Sequence, residues 1–193
     1  EEIISLLKKG VMPFVEEKGE EFLKKYILRG FYPTTDPSVV KQCQYIILTL
    51  GTPVDENMNP SLVQIDRAIK VILPYLCSKQ VLILRSTVSP RTTEYVANTL
   101  QQNKTLKMGR NFYLAFCPER IAEGKAIEEL YEIPQIIGGA DKASAKKAAE
   151  LFSHLGIKCW LTDAVSAELA KLFTNMYRYI SFAIANEFMI LAG

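Results

Sequence analysis

Apolar positions along the chain follow two rhythms. Five runs of strand length carry an apolar core: "YIILTL" (45–50), "VLILRS" (81–86), "FYLAFC" (112–117), "QIIGG" (135–139) and "IKCWLT" (157–162). The first four are continuous rather than alternating, as strands buried on both faces are, and they predict a parallel sheet covered by helices. Between them lie amphipathic stretches of helical period, "NPSLVQIDRAIKVILPYL" (59–76), "SPRTTEYVANTLQQ" (89–102) and "DKASAKKAAELFSHL" (141–155). Strand and helix in this alternation predict a doubly wound α/β domain.

Both ends of the chain depart from that alternation. "EEIISLLKKG" (1–10) and "EEKGEEFLKKYILRG" (16–30) read as helices closed by glycine. "FYPTTDP" (31–37) is a candidate edge strand limited by its prolines. Asp36 and Pro37 are then the cap and first residue of a short helix. From Asp163 to the end there is no proline, and no glycine before Gly193. Some 30 residues of unbroken helix span about 45 Å, too long to stay on the domain that starts them. The expected division is a sheet domain over 1–162 and a long helix over 163–193. That helix, apolar all round in "YISFAIANEFMILA" (179–192), is expected to bridge to another domain or pair with a second subunit.

Composition narrows the partners. The 193 residues are 49% hydrophobic with a formal charge of +2, which points to neither a nucleic-acid nor a membrane partner. There is no apolar run of membrane-spanning length and no signal-peptide pattern. Cys43, Cys77, Cys117 and Cys159 are scattered, and His154 is the sole histidine, so reduced and mostly buried thiols in a cytoplasmic protein are expected, with no metal. The chain opens inside a helix without an initiator methionine, and a piece of a longer protein is the expectation.

Ligands of open parallel sheets collect at the carboxyl ends of the strands. Just past those ends stand Gly51 and Thr52, Ser86 and Thr87, the acids Glu119 and Glu123 of "CPERIAEGKA" (117–126), and Gly138-Gly139. Glycine and short hydroxyl residues also serve as plain turn residues, but their coincidence on one edge suits a polar, phosphate-bearing ligand. Lys171 and Asn175, one helical turn apart, project from one face of the long helix among apolar neighbours. A packed lysine and an amide aimed at one site suit an anionic oxygen. The dinucleotide fingerprint G-x-G-x-x-G does not occur.

"GTPVDENMNPSL", "LRSTVSP", "FYLAFCPERIAEGKAIEELYEIPQIIGG" and "AELAKLFTNMYRYISFAIANE" together resemble the nucleotide-sugar 6-dehydrogenases, among them the UDP-glucose, UDP-N-acetylmannosamine and GDP-mannose dehydrogenases. The resemblance runs from end to end, and "GTPVDE" with "CPERIAEGKA" looks most like the UDP-N-acetylmannosamine branch. It implies a partial Rossmann-like domain followed by the long central helix of a homodimer, with NAD as cofactor and a nucleotide sugar as substrate. The sugar's primary alcohol would go to a carboxylate in two hydride transfers, through a thioester on a cysteine. It further implies that the glycine fingerprint lies before residue 1 and the catalytic cysteine beyond residue 193, so that this chain alone is inactive. By the same resemblance Thr52, Thr87 and Glu123 contact the cofactor. Glu119 does acid/base work in thioester hydrolysis, and Lys171 and Asn175 surround the reacting oxygen. Two other readings stand beside it: a β-hydroxyacid or 6-phosphogluconate type of dehydrogenase, with a single hydride transfer, and a non-catalytic nucleotide-binding or dimerising module.

Overall fold

The computed structural model of the chain describes residues 2–51, 62–121, 124 and 126–193. Helices α1 (Glu2–Lys8) and α2 (Gly19–Ile27) come first. Residues 31–35 form no strand and lead instead into a 3-10 helix, Pro37–Gln42. Asp36 caps it as expected, its carboxylate accepting from the N–H of Ser38 at 2.9 Å.

Among the described residues five strands then make one sheet in the order β1 (Tyr45–Leu48), β2 (Val81–Leu84), β3 (Tyr113–Phe116), β4 (Gln135–Gly139), β5 (Cys159–Asp163). β1, β2 and β3 run parallel, and β4 with β5 run parallel, but β4 is antiparallel to β3, Ala115 facing Gly139 and Phe116 facing Gly138. The α/β sheet expected from the apolar runs is present and mostly parallel, and the β3–β4 pairing is its one departure. The cause is the connection. Helix α5 (Ala126–Glu132), which the apolar pattern did not signal, buries no residue, so it does not cross a sheet face to return the chain parallel.

Helices α3 (Val63–Ile72), α4 (Thr92–Gln101) and α6 (Lys142–Ser153) cover the sheet. Alternate residues of β2 feed two cores. Leu82 and Leu84 join Ile65, Ile69, Val96 and Leu100 on one face, while Val81 and Ile83 join Ala145, Ala148 and Phe152 on the other. Every residue of β2 is buried, which is why its sequence shows no alternation.

Because β4 is reversed, its carboxyl end points away from those of β1 to β3, and Gly138 and Gly139 pair inside the sheet with Phe116 and Ala115, so their expected place in a loop past the ligand edge is corrected. Helix α7 (Ala164–Ala192) and α6 explain these glycines. A Cβ on Gly138 would lie 2.5 Å from Cβ of Ala167, and one on Gly139 would lie 2.6 Å from the backbone nitrogen of Ala145. They are packing glycines, not ligand contacts. α7 starts directly after β5, where Asp163 accepts from the N–H of Ser166 at 2.9 Å, and carries Lys171 to the segment just past β3. Ala167, Glu168 and Lys171 of α7 are buried and Leu169 and Leu172 half-buried, while the other apolar neighbours of Lys171, Phe173, Met176 and Tyr177, are exposed.

The thiols also differ from expectation. Cys117 is buried, Cys43 and Cys159 are half-buried, and Cys77 is exposed. Among the described residues no helix is long and apolar enough to cross a membrane.

Candidate active site

Three consecutive carbonyls after β3 are each held by a side chain from a different element. Arg85, just past β2, donates from Nη1 to the carbonyl of Cys117 at 3.3 Å and to Oε1 of Gln135 at 2.9 Å. Gln135, the first residue of β4, donates from Nε2 to the carbonyl of Pro118 at 3.1 Å. Lys171 of α7 donates from Nζ to the carbonyl of Glu119, and that amine stands 4.0 Å from Oε2 of the same residue. The segment is fixed further by the Glu119 N–H to the carbonyl of Arg85 at 3.1 Å. Glu119 also turns its carboxylate onto the N–H of Ile121.

This clamp closes one wall of a cleft of about 160 Å³ lined by Thr49, Arg85, Ser86, Thr87, Glu119 and Lys171. Among the described residues it has room for several waters or a small ring. It opens at the carboxyl ends of β1, β2 and β3, the edge where an open α/β sheet takes its ligand.

Charge in the cleft is predominantly positive. Burial pushes the Lys171 amine below its ordinary value; Glu119 opposes that, and the cations Arg178, Arg120 and Arg85 add to it. Burial likewise lowers Arg85, with Cys117 and Glu119 opposing. An amine with a depressed pKa, one carboxylate and hydroxyl groups within reach can stabilise an oxyanion and exchange a proton. Burial pushes the Cys117 thiol far up, so it is not a nucleophile.

The structure thus brings Thr87, Glu119 and Lys171 to one cleft. Asn175, one turn beyond Lys171, is not among its lining residues and accepts from Nη2 of Arg178 at 3.3 Å. Thr52 and Glu123 lie outside the described residues. Sequence reasoning missed Arg85, Gln135 and Thr49. The signal for Arg85 was present, since an arginine closes an otherwise wholly apolar run, "VLIL". Nothing in the local sequence marks Gln135, whose role depends on the reversed direction of β4.

Residues 1–156 match the family model described as the NAD binding domain of the UDP-glucose/GDP-mannose dehydrogenase family. The chain belongs to this family. Among curated relatives, a UDP-N-acetyl-D-mannosamine dehydrogenase of Pyrococcus horikoshii is 33% identical over 193 residues, covering 99% of this chain and 46% of its own length. One of the same name from Campylobacter jejuni is 30% identical, covering 98% of this chain and 48% of the relative. Among solved structures, the Pyrococcus horikoshii UDP-D-ManNAc dehydrogenase superposes with a TM-score of 0.92 at 32% identity, over 99% of this chain and 46% of that one. A GDP-mannose dehydrogenase ternary complex from Pseudomonas aeruginosa superposes with a TM-score of 0.86 at 26% identity, over 96% of this chain and 44% of that one. This member of the UDP-glucose/GDP-mannose dehydrogenase family therefore spans about half the length of the curated relatives it matches.

Proposed function

We propose that the cleft of Thr87, Glu119 and Lys171 is the reaction centre of a nucleotide-sugar 6-dehydrogenase, acting on UDP-N-acetylmannosamine or UDP-glucose. The observation that carries this reading is the Lys171 amine set against Glu119 at the carboxyl edge of β1 to β3. The relatives' names support the substrate class.

The donor set fits the reactive end of NAD: Ser86 and Thr87 offer hydroxyls beside the ends of β1 and β2, in a space that admits one ring. NAD, when bound, supplies the hydride acceptor. The chain's own residues hold and move protons. Lys171, buried and positively surrounded, donates to the negative oxygen that develops as the alcohol is oxidised or an acyl group is hydrolysed. Glu119, whose side chain is 42% exposed, takes the proton of an attacking water at the mouth of the cleft. Asn175, one helical turn beyond Lys171, is proposed as a second donor to the same oxygen. Thr52 and Glu123 are proposed as further cofactor contacts.

We propose that residues 1–162 form the cofactor domain and 163–193 the first part of a helix that pairs two protomers. The exposed apolar residues Phe173, Met176, Tyr177, Ile180, Phe182 and Phe188 of α7 support that pairing. The chain alone is proposed to be inactive, because the sequence holds no glycine fingerprint and its buried Cys117 is no nucleophile. The proposal is tested by counting NADH per sugar with the complete gene product that carries these residues. Two per UDP-sugar is the expected count; one per sugar would assign the chemistry to a single-transfer dehydrogenase.

A further inference from the structure

Glu168 has no exposed surface, yet it carries a carboxylate. Oε2 accepts from the backbone N–H of Arg91 at 2.6 Å. Oε1 accepts from the backbone N–H of Thr93 at 2.8 Å and from its hydroxyl at 2.6 Å. All three donors belong to the first turn of α4 or the residue before it, where Arg91 adopts a left-handed φ of 70°. A buried carboxylate costs several kcal/mol unless its oxygens are hydrogen-bonded. Here the unpaired N–H groups and the dipole of the α4 N-terminus supply those bonds. That helix end, the natural place for a phosphate in such a fold, is already occupied by a side chain of this protein.

The consequence lies one turn further along α7. Lys171 follows Glu168 by three residues, about 4.5 Å along the axis and on nearly the same face. The segment that Glu168 grips is continuous with Arg85, Ser86 and Thr87, which line the cleft opposite Lys171. One carboxylate therefore couples the two walls. We propose that Glu168 is a positioning residue: by binding the 91–93 turn it sets the rotation and height of α7 so that Lys171 meets the Glu119 carbonyl and faces Thr87. The catalytic consequence rests on the role proposed above for Lys171, but the placement of the amine does not.

The test follows the amine itself, so that its failure is distinguishable from a failure of the proposed activity. In the 193-residue chain, labelled with 15N at lysine, the Lys171 ammonium is assigned by Lys171→Arg and titrated by NMR. The charged groups acting on it are Glu119 and Arg120 from the clamped segment, Arg85 from the end of β2 and Arg178 on α7. In the unaltered chain its midpoint is depressed, with burial the leading cause. In Glu168→Gln the midpoint moves up toward that of a free lysine side chain, as α7 shifts and the amine is hydrated. A folded Glu168→Gln chain with an unmoved midpoint overturns the proposal. Where Glu168→Gln does not fold, Thr93→Ala, which removes only the hydroxyl donor, decides: a smaller upward shift supports the positioning role and an unchanged midpoint overturns it.

Discussion

Gly138 and Ala167 touch so closely that no side chain fits between strand β4 and helix α7. A Cβ built on Gly138 would stand 2.5 Å from Cβ of Ala167 and 2.8 Å from the backbone of Ala164. The backbone of α7 must then retreat, and Lys171 with it. Gly138→Ala is expected to destabilise the chain by about 1–3 kcal/mol, the usual cost of overpacking. Urea denaturation of the two chains checks this.

The carbonyl clamp makes a second expectation. Gln135→Leu strips Arg85 of its side-chain acceptor and leaves the Pro118 carbonyl without its donor. Each buried polar group left unpaired costs about 1–3 kcal/mol. Hydrogen exchange should locate the loosening at residues 117–121, with the strand β2 amides unaffected.

Much of this architecture is legible in the sequence, and its failures have physical causes. A buried run such as "QIIGG" announces a strand because both its faces are covered, but burial is indifferent to direction. Direction is decided by whether the connection crosses the sheet, and α5 with its unburied surface does not. Gly138-Gly139 ends that reversed strand, so it points away from the ligand edge for the same reason. Lys171 was legible as a packed lysine. The apolar neighbours that suggested it, Phe173 and Met176, are in fact exposed, and it is Ala167 and Glu168 that pack. Glu168 shows the limit: a glutamate on a helix reads as a surface residue until α4, some 75 residues earlier, brings its N-terminus to it.

Acid should weaken the start of α7. Asp163 is held below the ordinary aspartate value chiefly by the hydroxyl and then the N–H of Ser166. A depressed carboxyl gives its stabilisation in full above the ordinary aspartate value and loses it as pH falls through the folded-state value. Asp163→Ala should cost about 1 kcal/mol at neutral pH, as loss of an N-cap does. The difference between the two chains should shrink in acid, measured by thermal melts across that range.

Lys171 gives a pH dependence of the same sign in the alkaline range. Its folded-state value lies below the unfolded one, so between the two the unfolded chain binds more protons and stability climbs with pH. Lys171→Met should abolish that climb, read as the difference in denaturant midpoint between the two chains.

Thiol chemistry offers an independent check of burial. A thiol reagent should modify exposed Cys77 first and Cys117 only on unfolding, because burial both shields that thiol and suppresses its thiolate. Peptide mapping after timed labelling reads the order.

The most direct test is the turnover of Lys171→Ala in the complete gene product that carries these residues, with a UDP-sugar and NAD. If the buried amine stabilises the reacting oxygen, turnover falls about 10²-fold or more while the fold is retained. Unchanged turnover in a folded Lys171→Ala protein would contradict the account.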